Sequence, residues 1–517
     1  MVNTEEKQKK YGEKQNVQKK IYDKWRKKNM EGRTLTLDSL FQSGMVLQRR
    51  KPVKIWGTSR EEQTVVIRLN QRIILEEKVG KGSFSLFLPP QEGMEDATLE
   101  IGDTILERVD FGEVWIAGGQ SNMEFPLEND QNGEEMIREA EDSHFRMYTV
   151  ERYSYPGEKE SCEEENRYWN RWLSYEAPAC RNFSAVAVYF ALELRKMGVP
   201  VGILNCNWGG TTASTWLDAD LLQGNLAIYR KEYEAVLSKL DRRKYEEDNR
   251  FIRRGRGTAE MKRIEAQYPE RRKEALVMGP WHENRPGGLY EMMVKQLIGY
   301  TIQGVIWYQG ESDDKKPELY GELFRKVILC WRRDWEEELP FLFVQLAPFD
   351  SNGSCKGDRY PILRKQQELV SKTVPKTYMA SIGDAGEEDN IHPRQKEPVG
   401  MRLAAIARNR IYGQYEVIWK APECVKAICE KNMLYLEFDQ NIFLYGERLN
   451  GLELWQRDEI QELETVIVQG RTLLARFERK EATGIVAKFA QTGYYEINLC
   501  NSAGIPAFPF ERYVEEK

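Results

Sequence analysis

The sequence predicts an α/β protein: a parallel sheet covered by helices on both faces, with a smaller β unit before and after it in the chain. Three observations point there. Between residues 112 and 413, apolar runs of strand length alternate with amphipathic stretches of helix length, the pattern of a parallel sheet with helical crossovers. The strand-like runs are apolar without a two-residue alternation, as strands buried on both faces are. The flanking segments, 34–108 and 416–517, carry short runs rich in β-branched and aromatic residues, parted by Gly, Pro and charged turns.

In chain order, residues 1–33 are nearly all polar and Lys-rich, which predicts a solvated tail. MVLQRRKPVKIWGT, QTVVIRLN and GSFSLFLP make an antiparallel β unit over 34–108. The α/β region spans 109–415, with strands expected at 113–118, 201–206, 304–309, 340–347 and 377–383. Helices are expected in SAVAVYFALELRKMG, LYEMMVKQLIGYTIQ, LYGELFRKVILCWRRDW, YPILRKQQELVSKTV and VGMRLAAIARNRIYG. A charged, helical-looking stretch at 225–280 interrupts the alternation and reads as an insertion with a solvated face. Short β runs return over 416–517, a second β unit expected to pack with the first in one sandwich.

Bulk properties narrow the function. The chain has 517 residues, 41% hydrophobic and 11% aromatic, enough for several cores. A net charge of −6 gives no basic face for nucleic acid. No run approaches the roughly 20 apolar residues of a membrane span, and the N-terminus lacks the apolar stretch of a secretory signal. The eight cysteines are scattered without a C-x-x-C pair, so reduced thiols and a cytoplasmic location are expected.

In an open parallel sheet, chemistry collects at the carboxyl ends of the strands. After the first strand comes GGQSNM (118–123), which puts Ser121 at a strand-to-helix turn, where backbone N–H groups stabilise an oxyanion. A helix-capping serine is the plainer explanation. After the last strand comes DAGEEDNIHP, with His392 as candidate base and Asp389 as the acid that orients it, one helical turn apart. His144 and His282 lack that strand context. NWGGTT (207–212) offers the N–H of Gly209 or Gly210 to an oxyanion, and YQGESD (308–313) offers the Gln309 amide. Glu311 in the same block is open to two readings, a second acid or a loop-holding residue, the second being favoured, with Gln120 as a further supporting side chain. Together these groups compose a serine hydrolase.

GEVWIAGGQSNM, NWGGT, GVIWYQGESD and DNIHPRQKEPVGMRLA resemble the blocks of the sialate O-acetylesterase family, within the SGNH-hydrolase superfamily. LFQSGMVLQRRKPVKIWGT and INLCNSAGIPAFPFER extend the resemblance over about residues 38–513. It implies a flavodoxin-like three-layer core, a two-step acyl transfer with Ser121 as nucleophile, His392 as base and Asp389 as acid, and no metal or organic cofactor. The glycine of its second block falls on Gly210. In the third block the family's Gln falls on Gln309, where other superfamily members use Asn. The implied substrate is an acetylated mono- or oligosaccharide. Acetylated sialate and acetylated xylan or mannan fragments are both open, with Arg364 and Arg394 as candidate partners for a sialate carboxylate. A non-catalytic carbohydrate-binding protein is the reading from another class. Neither nucleic acid nor membrane is expected as a partner, and the sequence sets no oligomeric state.

Overall fold

The computed structural model describes residues 34–158, 168–253, 277–351, 357–457, 459–478 and 484–516. The Lys-rich segment 1–33 and part of the expected insertion, 254–276, lie outside them.

The central sheet is built on β1 (Thr104–Gly119), β2 (Glu141–Thr149), β3 (Trp172–Glu176), β4 (Val201–Asn207), β5 (Gly304–Tyr308), β6 (Phe341–Val344) and β7 (Thr377–Ala380), in the order β3-β2-β4-β1-β5-β6-β7. From β2 to β7 every pairing is parallel, and β3 closes the edge antiparallel to β2. β4, β5 and β6 are buried at every position. The sequence reading omits β2 and β3. β2 opens on exposed and half-exposed polar residues, and its buried stretch holds Arg146. That guanidinium tolerates burial because Asp110, on β1, lies beside it at 3.4 Å.

The principal helices are α1 (Ala185–Arg195), α2 (Tyr320–Trp335), α3 (Tyr360–Thr373) and α4 (Glu397–Ile406). Ser184 caps α1 by accepting the Ala187 N–H at 3.1 Å. Trp115 on β1 meets Phe190 of α1, and Trp307 on β5 stacks on Phe324 of α2. Trp115 pairs across the sheet with Gly304, three residues before Trp307. The two indoles therefore project to opposite faces, and each face carries its own helices. The stretch 289–303 does not form the long helix its apolar spacing suggests. It breaks into Gly288–Met292 and a tight turn at Val294–Gln296, bounded by Gly287 and Gly299 at positive φ.

β1 is 16 residues long and belongs to two sheets. Its first half pairs antiparallel with Met94–Ile101 of the N-terminal β unit, and its second half pairs parallel with β4 and β5. One strand thus runs through position 108, and the N-terminal unit shares the α/β hydrophobic core. The C-terminal strands have a core of their own around Leu434, Leu436, Leu454, Phe477 and Phe489. The single sandwich of both β units does not form, because these two sets of strands bury their apolar faces in different places.

Candidate active site

Ser121 opens a short helical turn, Ser121–Glu124, just past the end of β1. Gly119 makes the turn possible. Its φ is +135°, and a Cβ there would lie 2.1 Å from the Tyr308 carbonyl oxygen on β5, so a side chain is excluded by both conformation and space. His392 comes from the irregular loop between β7 and α4. Its Nε2 lies 2.8 Å from Ser121 Oγ, across 271 residues of chain. That is general-base distance. Burial pushes the imidazole below its ordinary pKa, the nearby Lys396 ammonium adds to this, and Glu124 opposes it. A lowered value keeps the ring neutral, able to accept the serine proton, at neutral pH.

Asp389 does not join them. The expected helical turn from Asp389 to His392 is replaced by turns and bends, and Asp389 is exposed. Asn390 Oδ1 accepts the His392 N–H at 3.0 Å, a local side-chain turn that competes with helix. Among the described residues, no carboxylate pairs with the His392 ring.

Gln309 is also placed differently from its expected oxyanion role. It is fully buried; its Nε2 donates to Thr211 O at 3.2 Å and Asp313 Oδ2 at 2.5 Å, and its Oε1 accepts from Tyr320 OH at 3.1 Å. Both amide hydrogens are committed, so none is left for an oxyanion. Gln309 instead braces the Gly210 loop. Asp313 assists by accepting the Ala213 N–H at 2.9 Å, and burial raises the Asp313 carboxyl to about 6. Of the two glycines in that loop, Gly209 donates its N–H to Glu124 Oε2. The Gly210 N–H makes no hydrogen bond within the described protein, while its carbonyl accepts from Asn284 Nδ2 at 2.8 Å.

The expected supporting side chains lie beside Ser121. Gln120 is buried; its Oε1 accepts the N–H of Gly310 and Ser312, each at 3.3 Å. Glu311 is buried, and burial raises its pKa. Its Oε1 accepts from Asn122 Nδ2 at 2.5 Å. Lys396 is fully buried, donates to Asn122 Oδ1 at 2.5 Å and is pushed down to about 7 by burial. Sequence reasoning missed Asn122 and Lys396, although both lie inside the quoted blocks. A lysine three residues past the His-Pro pair, at the start of a helix, looks solvent-facing from the sequence.

The pair opens into a cleft of about 960 Å³. Its walls include Gly210, Thr212, Asn284 and Ser312, with Tyr229 and Tyr233 from the helix Ala227–Leu237 in the expected insertion. His282 lines the wall, and His144 lies outside the cleft against Asp110. The two arginines considered for a carboxylate are engaged elsewhere. Arg364 is buried and donates to four backbone carbonyls, of Leu346, Ala347, Thr492 and Gly493. Arg394 donates to Asn129 O at 3.0 Å. Among the described residues one group, Asp96, Asp110 and His144, has the spacing of metal ligands, and Arg146 reaches both carboxylates, at 3.7 and 3.4 Å. No helix among the described residues is long and apolar enough to cross a membrane.

A solved carbohydrate acetylesterase from Xanthomonas citri superposes with a TM-score of 0.72 at 26% identity, covering 92% of this chain and 99% of that one. The resemblance read in the sequence holds. A family model described as carbohydrate esterase, sialic acid-specific acetylesterase, matches residues 275–408. Sialate O-acetylesterase of Mus musculus is 26% identical over 456 residues, 78% of this chain and 79% of its own length. That of Homo sapiens is 26% identical over 536 residues, 93% and 92%. The chain is therefore similar to carbohydrate esterases over nearly its whole length, with both β units included.

Proposed function

We propose that this protein is a serine esterase that removes O-acetyl groups from a carbohydrate. The observation that carries the reading is the 2.8 Å contact of Ser121 Oγ with His392 Nε2, both lining an open cleft of about 960 Å³. The parallel sheet with helices on both faces, and Ser121 beyond a strand end, support an SGNH-hydrolase, flavodoxin-like three-layer core. In the proposed reaction His392 takes the Ser121 proton as Oγ attacks the acetyl carbonyl. The N–H groups of Gly210 and Ser121 hold the oxyanion. The sugar oxygen leaves with the proton from His392, and water, activated by the same ring, releases acetate.

Acetate release from 4-nitrophenyl acetate, wild type against Ser121→Ala, is the test. Turnover is expected in the wild type and lost in the variant, with the fold intact by circular dichroism. Substantial turnover in the variant would remove Ser121 from the mechanism. A panel of O-acetylated sialate and acetylated xylo-oligosaccharides then separates the two sugar classes that the resemblance leaves open.

A further inference from the structure

We propose that Asn122 is a positioning residue of the esterase reaction: its side-chain amide clamps the Ile391 carbonyl and thereby sets where His392 stands against Ser121. The side chain is buried, and its three partners fix its orientation. The Ile391 carbonyl oxygen can only accept, so it must face Nδ2, which leaves Oδ1 toward Lys396 Nζ at 2.5 Å. The two hydrogens on Nδ2 then go to Glu311 Oε1 at 2.5 Å and Ile391 O at 2.9 Å. The flipped amide would point its oxygen at the Ile391 carbonyl oxygen and at Glu311 Oε1. Lys396 is itself held over the rings of Phe125 and Tyr308, 4.6 and 5.8 Å from their centroids.

Asn122 follows the nucleophile in the chain, and Ile391 precedes the base. One side chain thus ties the Ser121 turn to the His392 loop, across 269 residues. The loop is neither helix nor strand; it is tied further out at Glu388, whose carbonyl accepts the Asp350 N–H, and at Arg394, whose carbonyl accepts the Gln131 N–H, while the bond from Asn122 falls on the residue next to His392, whose ring has no carboxylate partner among the described residues. With the ring position set through the backbone beside it, releasing Ile391 lets the imidazole drift from Ser121 Oγ. A misplacement of about 1 Å at a reacting group costs on the order of 100-fold in rate.

Asn122→Asp tests this at constant volume. It keeps an acceptor for Lys396 but turns both Nδ2 donors into an acceptor facing Glu311 and Ile391 O. The expected result with 4-nitrophenyl acetate is a fall of about 100-fold in kcat with KM within twofold, referred to the folded fraction read by near-UV circular dichroism. Adding Glu311→Gln supplies an amide hydrogen to the new carboxylate but leaves the Ile391 carbonyl unclamped. The double variant is therefore expected to regain thermal stability and not kcat, a split that a merely structural role would not produce. Recovery of kcat together with stability, or wild-type kcat in Asn122→Asp, would overturn the proposal. If the single variant does not fold, the double variant decides alone by the same comparison. The proposal rests on the serine-esterase reading, and Ser121→Ala run beside it keeps the two apart. Turnover surviving that change defeats the esterase reading itself. Turnover lost there but kept in Asn122→Asp defeats only the positioning role.

Discussion

His392 titrates where its charge is opposed by burial and by the Lys396 ammonium, with Glu124 on the other side of the balance. In the proposed reaction its neutral form is the base, so kcat/KM should rise with pH through a midpoint below the ordinary histidine value of about 6.5. Lys396→Met removes one of the two depressing influences and leaves Glu124, so the midpoint should move up. A pH–rate profile whose midpoint stays or falls would contradict this. The same substitution carries a stability signature. Lys396 is lowered to about 7 from 10.5, so above pH 7 the unfolded chain holds a proton that the folded one has lost. The sign of linkage then makes folding stability rise with pH from this group. Urea midpoints between about pH 6.5 and 7.5, a unit or more below the ordinary thiol value of about 8.5, should climb more steeply in the wild type than in Lys396→Met. Asp389 is exposed and does not meet the ring, so Asp389→Asn should keep kcat within tenfold. A fall near the 10⁴-fold seen when a triad acid is neutralised would assign it a direct role. Ser121 and His392 were legible in the sequence because a Ser after Gly-Gly-Gln and a His after Asp-x-x each sit past a strand end. That Asp389 stands away from the ring and that the Gln309 amide is already engaged was not legible, since spacing along the chain reports neither the path of a loop nor which hydrogens another loop has taken.

The helix Ala227–Leu237 shows how an insertion acquires work at the scale of an element. Its sequence reads as charged and solvated, and none of its residues is fully buried. Yet Tyr229 and Tyr233, one turn apart, face the cleft. Lys316 lies over the Tyr229 ring at 5.1 Å and pairs with Glu232 at 2.7 Å, fastening the helix to the loop after β5. These rings lie on the wall of the cleft, where the sugar rather than the acetyl group would rest. Tyr229→Ala and Tyr233→Ala should therefore raise KM several-fold for an acetylated oligosaccharide and leave 4-nitrophenyl acetate turnover near wild type, the pattern of lost uniform binding. Equal losses on both substrates would mean that the helix supports the catalytic residues instead. The strands after which the site is built were readable because two-sided burial demands an unbroken apolar run. β2 was not, because Arg146 is acceptable inside the sheet only beside Asp110, a contact between strands.

At the scale of the whole molecule, two cores meet through polar ties and apolar contacts, with Phe508 packed on the α/β core. The long β1 merges the N-terminal β unit with the α/β core, whereas the C-terminal strands pack on themselves. Arg364 fastens the two bodies. Its guanidinium on α3 bonds the carbonyls of Thr492 and Gly493, each at 2.7 Å, and stacks at 4.8 Å over Tyr495. Arg364→Met would remove both bonds and the stacking on Tyr495, leaving the Gly493 carbonyl to the Phe349 N–H alone at 3.0 Å. The expected result is an earlier, separate calorimetric transition, with amide protection around 492–500 lost first in hydrogen exchange. A single transition at the wild-type temperature would show that other contacts hold the C-terminal unit.

The sequence by itself determined the α/β class, five strands of the central sheet and the two residues, Ser121 and His392, that the fold brings to 2.8 Å of each other, because burial on two faces and turns at strand ends leave local marks. Only the tertiary structure decided that Gly210 rather than Gly209 keeps a free N–H, that Gln309 is a brace, and that Arg364 is a fastening and not a substrate contact. It also decided that Lys396 is buried beside Asn122. Each of these depends on hydrogen bonds between residues roughly 80 to 270 positions apart, and a donor's availability is settled only when the fold brings its competitors together.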